Sequence, residues 1–466
     1  MNSRREFLKK SLLSGLALGT TGSVAGMAQS YAGAATKKVQ SQRVRKGKSV
    51  MGFRCAPIPE VRAAFIGVAR GWGHLHSFAN TEGTKIVAIC DLRPERIENA
   101  QKALKNAGRP EAAVYTGEED WKKVCERDDI DIIINSTPWE LHVPISLYAM
   151  KCGKHVATEV PIALSVNDCW ALVETAEKTQ RHCMMLENCC YDFFELATLN
   201  MARKGLFGEI IHGEGAYLHD LRDLKLQKEG YYKMWRLEYS KKHTGDPYPT
   251  HGLGPIAQIM NINRGDRIDY LTSMSTKQYG LSLYAEKLYG AGSPEAEFAY
   301  KMGDITQTLL HTVSGHSLLV VHDTSSPLPY DRIHKLVGTK GYAIKYPEEK
   351  IALEPHPHNF LKSEDFKTLV EQYQHPLTKF IGEKAKAIGG HGGMDYTMIW
   401  RLIYCLQNGL PLDQDVYDGV TWSCITELSE RSTLNRSSSV DVPDFTYGDW
   451  KTAKPWPVID MATVFS

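Results

Sequence analysis

The sequence has no excess charge of either sign, no hydrophobic run long enough to cross a membrane and no spaced cysteine framework. Lys and Arg number 55 against 54 Asp and Glu, which argues against a basic groove for nucleic acid and predicts no nucleic-acid partner. The ten cysteines follow neither disulfide nor zinc spacing. We therefore expect most of them to be buried thiols of a chain that folds in a reducing compartment. The 466 residues show no internal repeat, and this length predicts two or more domains.

The N-terminus carries an export pattern. Residues Ser3–Lys9, SRREFLK, match the twin-arginine consensus, and a weakly apolar run rich in Gly, Ser and Thr follows. That run is too short and too polar for a spanning helix, and the small residues around Tyr31–Ala35 resemble a cleavage site. The pattern predicts a twin-arginine signal peptide over residues 1–35, export of the folded chain by the twin-arginine machinery, and a periplasmic location. The alternative is an ordinary tail with a chance arginine pair.

Residues 58–187 alternate short apolar runs with amphipathic segments such as PERIENAQKALKNAG. This alternation predicts a parallel sheet with helices on both faces, the α/β arrangement of a Rossmann dinucleotide-binding domain. Residues 36–57 are basic and then proline-containing, which is typical of a linker. The apolar runs of the domain are Val61–Val68, Thr84–Asp91, 129–137, Lys154–Pro161 and Arg181–Asn188.

Beyond residue 187 the pattern changes to strands with partial alternation and without intervening helices. We predict a C-terminal α+β domain over residues 188–432 with a largely antiparallel open sheet. The exposed face of such a sheet could pair subunits into a homo-oligomer. Within the domain, Asp395–Gly409 predicts a helix that returns to the body of the protein, and residues 433–466 predict an irregular tail.

A glycine-containing turn follows the first predicted strand. Gly67 fits the first position of the dinucleotide fingerprint G-x-G-x-x-G, while Ala69 and Trp72 replace the second and third glycines. Asp91 ends the second strand where a ribose-binding carboxylate is expected, which favours NAD over NADP, although Arg93 keeps that choice open. The alternative is a tight turn followed by an aspartate that caps a helix.

The stretch GDPYPTHGLGP, Gly245–Pro255, holds three prolines and three glycines. Prolines remove backbone donors and glycines loosen the chain, so we predict a constrained loop that is neither helix nor strand. Such a loop would present Tyr248 and His251 side by side. The alternative is a surface connection with incidental aromatic residues.

Two further motifs lie at the ends of predicted strands, where doubly wound sheets bind ligands. They are NSTPWELH, Asn135–His142, and EVP, Glu159–Pro161. With the Rossmann pattern, they resemble the Gfo/Idh/MocA family of nicotinamide-dependent sugar-modifying enzymes. That family has E-K-P with a catalytic Lys, but Val160 stands here, and its later D-x-G-x-H motif also fails.

With these departures the sequence resembles one subgroup, glycoside hydrolase family 109. The members of that family are NAD-dependent α-N-acetylgalactosaminidases. The resemblance covers nearly the whole chain after residue 35. It is carried by EVP, LENCCYDFFEL, GEIIHGEGAYLHDL, YPTHGLGP and GGHGGMD. It implies NAD as cofactor and, as substrate, a glycan or glycoside with terminal N-acetylgalactosamine.

The resemblance also implies site residues. Beside Gly67 of the turn, those for NAD are Arg70, Gly71, Asp91, Trp139, Glu140, Leu141, His142, Glu159, Val160 and Asn188. Those for the sugar are Tyr217, Arg236, Tyr248, Pro249, Thr250, His251 and Tyr330. Taken alone, Tyr217 would equally suit packing in a sheet, His142 a hydrogen bond at a helix start, and Arg236 and Tyr330 the surface. Glu187 is as consistent with a structural carboxylate as with a catalytic one.

The implied reaction needs no pair of catalytic carboxylates, because NAD-dependent glycosidases are exceptions to that rule. Oxidation of the sugar at C3 acidifies the C2 proton, the aglycone is eliminated, water adds, and reduction restores both the sugar and NAD. His251 is assigned an acid/base role near C3 or the attacking water, and Tyr217 the C2 proton.

Two other functions stay open on the sequence. One is an NAD-dependent sugar dehydrogenase of the wider Gfo/Idh/MocA family, and the other is a sugar-binding protein with a vestigial nucleotide fold. No metal is predicted, because His356 and His358 have no accompanying Cys or helical HExxH.

Overall fold

Two sheets organise residues 43–457, the part of the chain that the computed structural model describes. The signal peptide predicted over residues 1–35 lies outside this range. Within it, no helix combines the length and the apolar character that a membrane span requires.

The first sheet has six parallel strands in the order β3-β2-β1-β4-β5-β6. Its central strands are mostly apolar because helices cover both faces, and every residue of β4 and β5 is buried. This confirms the predicted Rossmann domain. The strands are β1 (Val61–Ile66), β2 (Thr84–Cys90), β3 (Ala113–Tyr115), β4 (Ile132–Asn135), β5 (His155–Thr158) and β6 (Cys183–Met185).

The helices of this domain begin where local chemistry satisfies their free N–H groups. Pro94 opens one helix at its first turn, and Ser165 caps another by accepting a hydrogen bond from the Asp168 N–H at 3.1 Å. The helices are Trp72–Ala79, Pro94–Asn106, Asp120–Glu126, His142–Lys151 and Val166–Thr179, and a 3₁₀ turn spans Trp139–Leu141.

The second sheet has eight strands in the order β13-β12-β11-β7-β10-β9-β8-β14. All neighbours are antiparallel except β7 and β10, which are parallel. The predicted α+β domain with a largely antiparallel sheet is thus confirmed. The strands are β7 (Ile210–Leu218), β8 (Ile268–Ser275), β9 (Ile305–Thr312), β10 (Ser317–Asp323), β11 (Lys335–Gly338), β12 (Gly341–Ile344), β13 (Lys350–Leu353) and β14 (Val440–Asp441).

Helices separate β7 from β8, β8 from β9 and β13 from β14, so the expectation of strands without intervening helices is wrong there. It holds from β9 to β13, which follow one another without a helix. The predicted returning helix forms as Met394–Gln407 and packs on Trp72–Ala79 of the first domain. The helices are Phe193–Arg203, Arg222–Leu226, Trp235–Lys242, Thr250–Ile259, Gly280–Tyr289, Pro294–Glu297, Ser363–Gln372, Pro376–Ile388, Met394–Gln407, Val416–Ser423 and Ile425–Leu434. 3₁₀ turns span Asn188–Tyr191, Tyr232–Met234, His391–Gly393 and Asp449–Lys451.

The proline- and glycine-rich stretch is half helical, which corrects the predicted loop. A helix begins at Thr250 and continues through Pro255 to Ile259, because one proline removes only one intrahelical donor. The glycines serve close packing rather than looseness. A Cβ on Gly215 of β7 would lie 2.1 Å from the Gly252 carbonyl oxygen, and one on Gly252 would lie 2.3 Å from the Ala216 nitrogen. Helix and strand therefore touch backbone to backbone.

The ten cysteines all fall within the described range and are free thiols, eight of them buried. This agrees with the predicted buried thiols.

Candidate active site

The turn after β1 has space for backbone but not for side chains. Gly67 has a φ of +82°, and a Cβ there would lie 2.6 Å from the Ser136 carbonyl oxygen at the end of β4. A Cβ on Gly71 would lie 2.3 Å from the Gly67 carbonyl oxygen. The helix Trp72–Ala79 begins directly afterwards. A bare turn at a helix N-terminus fits the pyrophosphate of a dinucleotide.

Asp91 ties this turn to the end of β2. Its Oδ2 accepts a hydrogen bond from the Val68 N–H at 2.9 Å, and its Oδ1 accepts one from the Arg93 N–H at 3.0 Å. The Arg93 Nε lies 3.7 Å from the same Oδ1. The carboxylate stands beside the glycine turn, where the fingerprint expects the ribose to bind.

Glu159, at the end of β5, is the buried anion of the cofactor edge. His74 Nε2 lies 2.7 Å and Arg70 Nε 3.3 Å from Glu159 Oε1. Burial opposes ionisation, but Arg70 and the His74 hydrogen bond outweigh it and lower the pKa of Glu159 to about 2. Val160 is buried where the wider family has its lysine, so the cation that faces this carboxylate is Arg70.

His142 braces two strand-end loops. Its Nδ1 lies 2.8 Å from the Pro161 carbonyl oxygen, and its Nε2 lies 2.9 Å from that of Thr137. Burial lowers the pKa of His142, and its hydrogen bonds with the Pro161 and Thr137 carbonyls oppose that effect. Trp139 donates from Nε1 to the Val160 carbonyl oxygen at 3.2 Å. Of the adjacent predicted cofactor residues, Glu140 is exposed and Leu141 is partly buried.

A glycine-rich loop carries a further histidine close to the site. Residues 389–393, GGHGG, all have positive φ, and His391 is the one non-glycine among them. Asp395 accepts hydrogen bonds from Asn188 Nδ2 at 2.6 Å and interacts with His391 Nδ1 at 2.7 Å. Burial opposes ionisation, but His391 and the charges of His74 and Arg70 hold the pKa of Asp395 below its usual value. The loop therefore contacts the cofactor edge through one carboxylate.

The helix that begins at Thr250 places His251 against a buried carboxylate. His251 Nδ1 lies 2.6 Å from Glu187 Oε1, and both side chains are almost inaccessible. Burial opposes ionisation of Glu187, but the charge and hydrogen bond of His251 outweigh it and lower its pKa. The pairing fixes the ring and leaves Nε2 as the nitrogen for other partners.

Two tyrosine rings flank this imidazole, and a third tyrosine packs behind one of them. The His251 ring centroid is 4.9 Å from that of Tyr248 and 5.4 Å from that of Tyr217. The ring of Tyr330 lies 6.2 Å from that of Tyr217. Burial raises the pKa of Tyr217, and Arg236 opposes that effect. The residues predicted to carry the chemistry thus lie together.

Arg236 is a partly buried cation that lies against ring faces. Its guanidinium carbon lies 4.8–5.2 Å from the centroids of four rings, those of Trp139, Tyr231, Trp235 and Tyr248. Within residues 43–457, no carboxylate oxygen lies at ion-pair distance from the Arg236 guanidinium. Such a guanidinium can donate to neutral oxygens of a bound sugar.

His219 connects the two histidine regions. Its Nδ1 lies 3.0 Å from the Tyr217 hydroxyl. Burial lowers the pKa of His219, Arg236 adds to this, Asp220 opposes it, and His251 and His391 lower it further. His251 and His391 therefore both act electrostatically on the His219 ring.

Two family models divide the chain between them. The one described as "Glycosyl hydrolase 109, C-terminal domain" matches residues 191–452, and the one described as "Oxidoreductase family, NAD-binding Rossmann fold" matches residues 61–187.

The chain belongs to glycosyl hydrolase family 109.

Relatives agree with this family-109 assignment. The chain is 52% identical over 406 residues, 86% of its length and 96% of theirs, to "Alpha-N-acetylgalactosaminidase" of Bacteroides fragilis. It is also 52% identical over 410 residues, 87% and 99% of the two lengths, to "Glycosyl hydrolase family 109 protein 2" of Phocaeicola vulgatus. The predicted family and the predicted NAD-binding domain are confirmed.

The fold of this family-109 chain also occurs in sugar dehydrogenases. A levoglucosan dehydrogenase, solved in complex with NADH and levoglucosan, superposes with a TM-score of 0.62 at 18% identity. The match covers 83% of this chain and all of that one.

Some contacts of the family-109 site were not predicted from its sequence. The sequence leaves Glu187 open between two roles and assigns no role to His74, His219, His391 and Asp395. GGHGGMD enters only as a motif of the resemblance, although a histidine between glycine pairs is itself a signal of a positioned side chain. Among the predicted residues, Pro249 precedes the helix and Thr250 begins it, with its side chain buried.

Proposed function

We propose that the chain is an exported NAD-dependent glycosidase that removes terminal α-N-acetylgalactosamine. One observation carries the proposal: the His251–Glu187 pair and its tyrosines lie in a family-109 chain beside the carboxyl ends of the Rossmann strands. Bound NAD would supply a reversible oxidation of the sugar, and the cofactor would end each turnover in the oxidised form in which it began. Gly67, Gly71, Asp91 and Glu159 are the residues that would hold it.

In this proposal the protein moves protons and orients the sugar. His251, fixed by Glu187, exchanges a proton through Nε2, and Tyr217 takes the C2 proton once neighbouring positive charge favours the phenolate. Arg236 donates to sugar oxygens from its aromatic surround. The arrangement separates the donors that orient the substrate from the groups that change protonation.

His391 is our candidate for the acid that protonates the departing aglycone. Its side chain is 44% exposed, whereas that of His251 is 9% exposed, and an aglycone has to leave toward solvent. Asp395 fixes the ring through Nδ1, so Nε2 can face the leaving group.

Replacing His391 with alanine is expected to lower turnover by about 10²-fold or more for a sugar aglycone, but much less for a nitrophenyl aglycone that needs no protonation. The measurement is kcat for both substrates in the wild-type and variant enzymes. His356→Ala, in an exposed loop, is the control. An equal loss on both substrates would assign His391 a structural role instead.

The central experiment is hydrolysis of 4-nitrophenyl α-N-acetylgalactosaminide without added cofactor, with mass analysis of what co-purifies. We expect one bound NAD per chain and full activity. Solvent deuterium should enter C2 of the released sugar, because the C2 proton is exchanged. Activity from a chain free of nicotinamide would contradict the redox route.

The second candidate is a sugar dehydrogenase, which the shared fold of levoglucosan dehydrogenase favours. It would consume added NAD and release an oxidised sugar. The buried Val160 in place of the wider family's lysine argues against this reading.

For export we propose the twin-arginine route, on the strength of SRREFLK at residues 3–9. Changing Arg4 and Arg5 to lysine should leave most of the uncleaved chain in the cytoplasm, because that route reads the arginine pair. The measurement is cell fractionation with an immunoblot, and a Lys9→Arg chain serves as the control. Undiminished periplasmic protein from the double-lysine chain would rule out this route.

A further inference from the structure

Three different metal-ligating side chains meet beside the imidazole of the site. They are the carboxylate of Glu187, the thiol of Cys189 and the ring of His251, and their ligand atoms lie within 4.8 Å of one another. All three residues are buried. They come from the end of β6, the 3₁₀ turn Asn188–Tyr191 and the helix Thr250–Ile259, so no linear spacing would reveal the group.

We propose that these three side chains capture Zn²⁺ as an inhibitory ion. Carboxylate oxygen, thiolate sulfur and imidazole nitrogen are the protein ligands that zinc takes, and water or a sugar hydroxyl can complete a tetrahedron.

Zinc binding would need only small shifts of the three donor atoms. Bond lengths of about 2.0–2.3 Å place the donor atoms of tetrahedral zinc roughly 3.3–3.6 Å apart. Glu187 Oε1 lies 2.6 Å from His251 Nδ1, so these two donors have to move apart by about 0.7–1 Å to bind one ion. The Cys189 Sγ lies within 4.8 Å of both partners and has to move closer. Shifts of about 1 Å or less therefore bring the three donors to one ion.

The electrostatic surroundings favour a cation more than a free thiolate. Three carboxylates act electrostatically on the Cys189 side chain, those of Glu187, Glu195 and Asp192, and the Arg332 guanidinium acts on it as well. Those carboxylates attract Zn²⁺, with Arg332 opposing. Binding releases the thiol proton, so the ion replaces a proton and needs no oxidant.

The bound ion would occupy both members of the His251–Glu187 pair, and hydrolysis would stop. The inhibition rests on the proposed function, but the binding does not. The two are tested by separate measurements on the NAD-loaded full chain.

Binding is tested with Co²⁺, whose thiolate complexes show a charge-transfer absorption band. We expect a saturable band in the wild-type enzyme. The Cys190→Ser variant should keep the band, because the Cys190 thiol is also buried but does not belong to the ligand group. Cys189→Ser should lose the band. Cys189→Ala is a second variant, and thermal melting verifies that each is folded. Absence of the band in wild-type enzyme, or its persistence in a folded Cys189 variant, overturns the proposal.

Inhibition is tested by titrating ZnCl₂ into the nitrophenyl glycoside assay and then adding a chelator. We expect reversible inhibition that is at least about 10- to 100-fold weaker in Cys189→Ser than in Cys190→Ser. Equal inhibition of the two variants overturns the inhibitory role. A Cys189-dependent cobalt band in a chain without glycosidase activity would retain the metal site and refute the proposed function instead.

Discussion

Replacing His251 with alanine is expected to lower kcat by about 10²- to 10⁴-fold, the range that positioned acid/base groups contribute. The imidazole is almost inaccessible, is fixed through Nδ1 by Glu187 at 2.6 Å and lies among the rings of Tyr217 and Tyr248. Hydrolysis of the nitrophenyl glycoside measures the effect, with retained NAD and melting temperature as checks on folding. An unchanged kcat would remove this imidazole from the mechanism.

The Glu187→Gln variant shows whether the pair acts as a unit. It keeps the shape of the side chain but removes the charge that orients His251, so we expect a smaller loss than for His251→Ala. The double variant should be no slower than His251→Ala alone, because groups that act together are not additive. Additive losses would mean that Glu187 acts independently. His311→Ala, on β9 against Tyr270, should behave like wild type.

A single methyl at Gly67 is expected to abolish NAD retention and with it nearly all activity. The alanine Cβ would lie 2.6 Å from the Ser136 carbonyl oxygen, and the φ of +82° is one that L-residues avoid. The turn must then move away from the end of β4, and the expected pyrophosphate site at the turn is displaced with it. NAD released from the denatured protein, measured by mass spectrometry, gives the result.

Gly108 is the matched control for backbone strain. Its φ is +68°, but a Cβ there meets no atom within 4 Å. Gly108→Ala should therefore lose some stability, about 1–2 kcal/mol, while it retains NAD. If both variants lose NAD, or if Gly67→Ala keeps it, close approach at this turn is not what holds the cofactor.

The sequence predicted the first domain well because its evidence is local. The runs that became β1, β2, β4 and β5 are largely buried, and apart from residues near their ends each is mostly apolar. The stretch around His251 misled the prediction because proline and glycine were interpreted by their backbone preferences alone. The close packing of Gly252 on β7 is a tertiary effect that overrides them.

Pairings across the fold were beyond such reasoning. Glu187, at the end of the first domain, meets His251 only after the two domains pack together, and Asn188 meets Asp395 across 207 positions of the chain. No spacing in the sequence encodes either contact. The role of His391 likewise depends on five successive residues with positive φ. Glycine permits this conformation, but its presence in a sequence does not show that the conformation is adopted.

The backbone contact between Gly215 and Gly252 has a consequence for how this enzyme can diverge. It fixes the separation between strand and helix by main-chain atoms alone, so the phenol and the imidazole they carry keep their spacing whatever the nearby side chains become. Pocket walls are then free to change for new glycans over evolution, while the register of the proton-handling groups is inherited intact.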